Sequence, residues 1–253
     1  MLNNSWGQLL ILALSLLMTT SAACQKINNN HYLPIVTLKF DPSGSNAWYP
    51  YYINTGEKRG IVVDAVAIIL ATANISGKEI ILPPKRTNLS LKNGLVDFDL
   101  INPDWLSKEQ QSDDYVFSDS VIPIKEHIIY LAGTVIPENL GEDQQLTDQD
   151  IGTVRGYYYH NDNLFNRLDY PSEKELIKAL FRKRITFAIS GDKPAQYWAK
   201  ILSVPIILGP VHSDGYLKIR LRKELKYLLP QINDAIQRLK INGSLESIIK
   251  AYI

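Results

Sequence analysis

Cysteine is almost absent from this chain of 253 residues, with Cys24 the only one. No intramolecular disulfide can form, so disulfide-scaffold secreted domains are excluded and the core must hold the fold alone. An excess of charge of one sign is missing too. Lysine and arginine number 27 against 26 aspartates and glutamates, a net charge of +1. A nucleic-acid binder shows a clear basic excess, so no nucleic-acid partner is expected. The four histidines, His31, His127, His160 and His212, lack the short spacing of metal ligands. Ser43-Gly44-Ser45 is not a nucleophile elbow. Gly152-Thr153-Val154-Arg155-Gly156 lacks the Lys-Ser/Thr of a phosphate loop. Asp97 and Asp99 alternate on a predicted strand and Asp113 and Asp114 share a polar loop, so nothing selects a catalytic carboxylate pair. No cofactor and no metal are expected.

Long apolar runs are missing as well, apart from residues 9–18, which contain no polar side chain except Ser15. That run is too short to span a bilayer as a helix, which takes about 20 residues. It has the length of a signal-peptide core, and Ser21 and Ala23 suit a signal-peptidase site. Residues 1–8 carry no Lys or Arg, which leaves the α-amino group as the only positive charge ahead of the run. A buried N-terminal helix is the competing reading. The expectation is a signal peptide over residues 1–23 and a periplasmic mature protein. Cys24 stands where a lipoprotein carries its acyl anchor, but Ser21 replaces the usual Leu and Thr19-Thr20-Ser21 separates it from the run. Soluble and lipid-anchored products both stay open, with membrane contact only if Cys24 is lipidated.

Hydrophobic content of 45% and charged content of 21% are ordinary for a folded soluble protein. Residues 25–32 are polar and read as a tether. Alternation predicts strands over 35–40, 78–82, 95–101, 116–120, 126–132, 151–155, 185–190 and 217–221. Helical spacing falls over 61–75, 89–93, 172–181, 194–201, 225–239 and 245–253. Asp64 lies near the start of the first helix, where a carboxylate favours the dipole. Ser172 with Glu175 has the spacing of a capping box. Strands alternating with helices imply α/β architecture with parallel pairing.

Several phrases, in order, resemble the type 2 periplasmic solute-binding proteins, in the amino-acid-binding (family 3) branch. Pro50-Tyr51 followed by Gly60-Ile61-Val62-Val63-Asp64 is similar to that family's Pro-Phe and Gly-Phe-x-x-Asp opening. Leu91-Lys92-Asn93-Gly94-Leu95-Val96-Asp97 resembles its helix, glycine turn and strand. Phe117-Ser118 resembles the Phe-Ser before the crossover, and Ile151 to Gly156 the strand that opens the second lobe's ligand face. The closing helix resembles residues 243–252. The resemblance implies a two-lobed α/β fold, each lobe a mixed sheet flanked by helices, joined by a two-strand hinge. Lobe one would take residues 33–122 plus 213–253, and lobe two residues 123–212. The ligand would sit in the cleft, which fits the rule that α/β sheets bind beyond their strands' carboxyl ends.

One departure bears on the ligand. Family members have Thr-x-x-Arg shortly before Phe-Ser, and that arginine forks onto the ligand's α-carboxylate. Counting back from Phe117 puts Gln111 there, and a neutral amide cannot replace a guanidinium. Amino-acid identity of the ligand is therefore not implied.

The resemblance marks further positions, each with a plainer structural alternative. Trp48 matches the aromatic stacked on the ligand, with Tyr51 beside it; core packing competes. Arg86 maps near a pocket-lining position and could supply the missing cation; a solvated loop charge competes. Asn102, Asp104 and Trp105 match the polar segment after the first-lobe strand. Arg155, Gly156, Tyr157 and Tyr158 match the second lobe's phrase, where Gly156 would present N–H groups to an anion. Asp192 lies within one residue of the acidic position that takes the ligand's ammonium; a turn residue is the alternative. The implied function is capture of a small polar ligand, an amino acid or related compound, for an ABC permease or a membrane sensor, by a monomer. An enzyme on the same fold, such as a dehydratase or peptidoglycan lyase relative, and an adaptor that binds nothing are the alternatives.

Overall fold

Two strands of unusual length organise the chain. In the computed structural model, which describes residues 36–42, 48–54, 56–82, 86–106, 113–141 and 146–252, β4 (Tyr115–Leu131) and β8 (Ile206–Arg222) each run for 17 residues. A typical strand has about 5–6 residues. The expected signal peptide, Cys24, the tether, His31, Ser43-Gly44-Ser45 and Gln111 lie outside the described residues.

The other strands are β1 (Thr37–Asp41), β2 (Ser76–Glu79), β3 (Phe98–Ile101), β5 (Asp150–Val154), β6 (Asn166–Tyr170) and β7 (Phe187–Gly191). They complete a single eight-stranded sheet in the order β2-β1-β3-β8-β4-β7-β5-β6. Pairing is parallel for β1 with β2 and β3, and for β5 with β6 and β7. It is antiparallel wherever β4 or β8 takes part. The parallel pairing expected from strand–helix alternation thus holds only toward the two ends of the sheet. The long antiparallel pair joins them.

Residues 116–120 and 126–132 were expected as separate runs, yet one strand covers both and Pro123 lies inside its ladder opposite Tyr216. Register shifts at 117–122 and 126–129 absorb the irregularity and bend the pair. The sequence also hid the first half of β8, because Gly209, Pro210, Ser213 and Gly215 interrupt its alternation. β6 (NRLDY) is polar because it is an edge strand, and it was not anticipated.

Helices α1 (Ile61–Thr72), α2 (Thr87–Lys92), α3 (Glu173–Phe181), α4 (Asp192–Leu202), α5 (Leu229–Ile241) and α6 (Ser244–Lys250) cover the sheet. α1 enters through Gly60 at φ 110, where an added Cβ would stand 2.4 Å from the Tyr51 carbonyl oxygen. Only glycine fits that approach. Asp64 does more than face the helix dipole: it accepts the Tyr252 hydroxyl at 2.5 Å, which ties the C-terminus to α1. Ser172 caps α3 by accepting the Glu175 N–H at 3.4 Å, as the capping box predicts. The Glu175 carboxylate itself turns to Lys178.

The apolar residues gather in separate cores. Leu38, Phe40, Val66, Phe98, Ile219 and Ile236 belong to the first, which joins the early elements to α5. Farther along the sheet, period-2 alternation splits β4 between its two faces. Ile129 packs with Leu176 and Ala188 on one face, while Ile128 and Tyr130 pack with Phe187 and Ile189 on the other. No helix among the described residues is long and apolar enough to cross a membrane.

Candidate functional site

A cavity of about 100 Å³ is lined by residues from both halves of the sheet. Its walls are built from strand ends and the loops that leave them. Gly156, Tyr157 and Tyr158 follow β5, Ser190 and Gly191 close β7, and Leu100 is the last residue but one of β3. Gly156 holds φ 90, a backbone state that lets the chain turn back across the cavity.

Trp48 is the aromatic centre. It stacks on Tyr51 at 4.2 Å between centroids and meets Trp105 and Tyr157 edge-on at 6.3 and 6.4 Å. Tyr51 is fully buried behind it and does not line the cavity, and its hydroxyl has no hydrogen-bond partner among the described residues. Burial raises that hydroxyl's pKa, with Asp192 and Glu126 adding to the shift. A hydrogen bond spans the cleft: Asn88, on α2, donates to the Tyr158 hydroxyl at 2.7 Å.

Arg220, on β8, is buried at 2% exposure, and the charges around it are already matched. Its Nε donates to Asp99 Oδ1 at 2.9 Å and its Nη2 to Asp99 Oδ2 at 2.6 Å, with a third bond to Asn88 Oδ1 at 2.8 Å. The register sets the pair directly opposite each other on β3 and β8. Tyr115 lies under the guanidinium at 5.3 Å.

Two further carboxylates line the cavity without a basic partner among the described residues. Glu126, on β4, is 5% exposed and accepts from Trp105 Nε1 at 3.1 Å and Ser213 Oγ at 2.6 Å. Burial pushes its pKa to about 7, against the pull of those two bonds. Glu173, the first residue of α3, is 3% exposed. Its pKa also rises to about 7 through burial, while its own N–H and the Tyr157 hydroxyl act the other way. Its Oε1 has no hydrogen-bond partner among the described residues.

Of the positions singled out from sequence, Trp48, Trp105, Gly156, Tyr157 and Tyr158 line the cavity together. The others lie elsewhere. Arg86 is exposed at the start of α2, beside a shallow groove with Leu82 and Leu89. Arg155 is exposed, and its N–H is used by the Tyr170 carbonyl. Asn102 is buried against Gly215, where its amide would meet a Cβ at 2.8 Å, and its Oδ1 caps the turn Pro103–Trp105. Asp104 is exposed in that turn. Asp192 opens α4 and pairs with Lys193 at 3.1 Å.

The charged groups of the cavity were missed from sequence, although a signal was there. In β8, Leu217, Ile219 and Leu221 point to the core, so Lys218, Arg220 and Arg222 take the opposite face. Glu126 falls at the period of two between the buried Ile124 and Ile128, which puts a charge on the inward face of β4. Among the described residues, no group of three His, Cys, Asp or Glu side chains could hold a metal ion.

No family model and no curated protein matches the sequence. Solved structures match the fold. A mutant of ArgBP from T. maritima is 16% identical with a TM-score of 0.67, over 85% of this chain and 94% of that one. The GluR0 ligand-binding core from Nostoc punctiforme, in complex with L-glutamate, is 18% identical with a TM-score of 0.67, over 86% and 99%. A histidine kinase sensor domain with similarity to periplasmic binding proteins is 13% identical with a TM-score of 0.67, over 87% and 96%. The chain has the two-lobed periplasmic-binding-protein fold.

Proposed function

We propose that this chain is an extracytoplasmic solute-binding protein of the amino-acid-binding kind, which captures a small polar ligand between its lobes. The observation that carries this reading is the cavity itself, walled by aromatic rings from both lobes and bridged by the Asn88–Tyr158 hydrogen bond. Ligands of α/β proteins gather at such strand ends. The names of the similar structures support the same class: ArgBP, a ligand-binding core in complex with L-glutamate and a histidine kinase sensor domain. Delivery to an ABC permease and signalling through a membrane sensor are both compatible with them. The lobes would divide into residues 33–122 plus 213–253 and residues 123–212. Closure would then bend β4 and β8 near their register shifts. Cleavage before Cys24 would place the mature protein in the periplasm, soluble or lipid-anchored; an intact mass that retains Met1 would refute export.

A thermal-shift panel of amino acids, short peptides, sugars, organic anions and amines tests the binding reading. A ligand selective for the folded state raises the melting temperature by mass action. Recovery of that ligand unchanged after incubation separates capture from turnover. A panel in which nothing shifts the melting temperature would favour the non-binding adaptor.

A further inference from the structure

The chemistry of the cavity walls narrows the ligand class, an inference that rests on the binding reading above. An α-amino acid needs a cation for its carboxylate. The cation that lines the cavity among the described residues is Arg220, and it is held by Asp99 through two hydrogen bonds and by Asn88 through a third. Neither Arg86 nor Arg155 lines the cavity. What remains unmatched is negative. Glu173 is almost fully buried with Oε1 unpartnered, and Glu126 is satisfied only by neutral donors. A buried carboxylate without a counter-charge is costly, and a cation placed against it removes that cost. The neighbouring walls are aromatic, and ring faces attract cations.

We infer that the cleft takes a compact organic cation, an amine or guanidine without a carboxylate, bound through Glu173 and Glu126 between the Trp48, Trp105 and Tyr157 rings. The space of about 100 Å³ suits a small molecule rather than a peptide. The glutamates, which burial holds near pH 7, would ionise fully once the cation enters.

Calorimetry on three matched pairs tests this: isobutylamine with L-valine, cadaverine with L-lysine, and agmatine with L-arginine. The members of each pair differ by one carboxylate. In at least one pair the carboxylate-free member should bind ten-fold or more tightly than its amino acid. Equal or tighter binding of the amino acids would overturn the inference and mean that Arg220 leaves Asp99 to take the carboxylate. Glu173→Gln, checked for folding by circular dichroism, should weaken the best amine at least ten-fold at pH 8. An unchanged affinity would also overturn it. If none of the six binds but a sugar or organic acid from the wider panel does, the cation class fails while the binding reading stands. If no compound binds at all, the binding reading falls and takes this inference with it.

Discussion

On the wall of the cavity built from β3 and β8, Arg220 is tied to Asp99 by two hydrogen bonds and to Asn88 by a third. On the facing wall, Glu173 keeps one carboxylate oxygen without a partner although it is just as deeply buried. The two sites bury charge to a similar depth, but only one is complete. A matched pair serves the fold, because its Coulomb energy is used within the protein and removing either member strands the other. An incomplete carboxylate costs the fold free energy once it ionises, and its chemistry points to a cation as its partner. Burial alone therefore does not mark the ligand contacts; the unmet hydrogen-bonding capacity does.

The sharpest way to break this comparison is to make the complete site incomplete. Asp99→Ala leaves the Arg220 guanidinium buried with only Asn88 and the Tyr115 ring, and should cost about 3–5 kcal/mol of stability in urea denaturation. Adding Arg220→Met, which removes the stranded charge, should recover most of that loss. If Asp99→Ala costs less than about 1 kcal/mol, the pair is not the structural element described here.

Next in size is the pH response of the incomplete side. Both glutamates have folded pKa values raised to about 7 from an ordinary 4.5. The folded chain therefore holds these protons more tightly than the unfolded chain. The resulting stability is complete below about pH 4.5 and is lost as pH rises through about 7. At about 1.4 kcal/mol per pKa unit, each group shifts stability by about 3 kcal/mol across that window. Glu126 faces Trp105 and Ser213, with Tyr51 nearby; Glu173 faces Tyr157, with Tyr159 nearby. None of these neighbours carries a positive charge to cancel the effect. Without ligand, Glu173→Gln should be more stable than the parent at pH 8 and should lose that advantage by pH 5. Parallel pH profiles for parent and variant would refute the assignment.

The frame was legible in the sequence because its signals are local. The apolar run of α1, the Ser172 cap and the short runs of β5 and β7, buried at four consecutive positions each, depend on a few neighbouring residues. The aromatic part of the cavity was legible as well, through Trp48, Trp105 and the Tyr157-Tyr158 phrase. Its charged part was not, because the meaning of Glu126, Glu173 and Arg220 depends on partners far away in the chain. Arg220 and Asp99 are 121 positions apart, and Glu126 meets Ser213 across 87. Glu173 is a good first-turn helix residue whether or not it faces a cavity. The full length of β8 escaped for a related reason: Gly209, Pro210 and Gly215 break its alternation, and only the ladder with β4 makes the whole run one strand.

The smallest expected effect comes from the residue that the missing arginine made attractive. Arg86 is exposed, lies at the N-terminal end of α2 and makes no side-chain capping bond there. A cation at that end opposes the helix dipole, so its truncation gives up no favourable electrostatics. Arg86→Ala should change stability by less than about 0.5 kcal/mol, as surface substitutions do. It should also leave the affinity of whichever ligand the panel identifies within about a factor of two, because its side chain borders the outer groove and not the cavity. A ten-fold loss in calorimetry would contradict this. It would mean that the Arg86 side chain swings from the outer groove into the cleft when ligand binds, beside Thr87 and Asn88, which already line it.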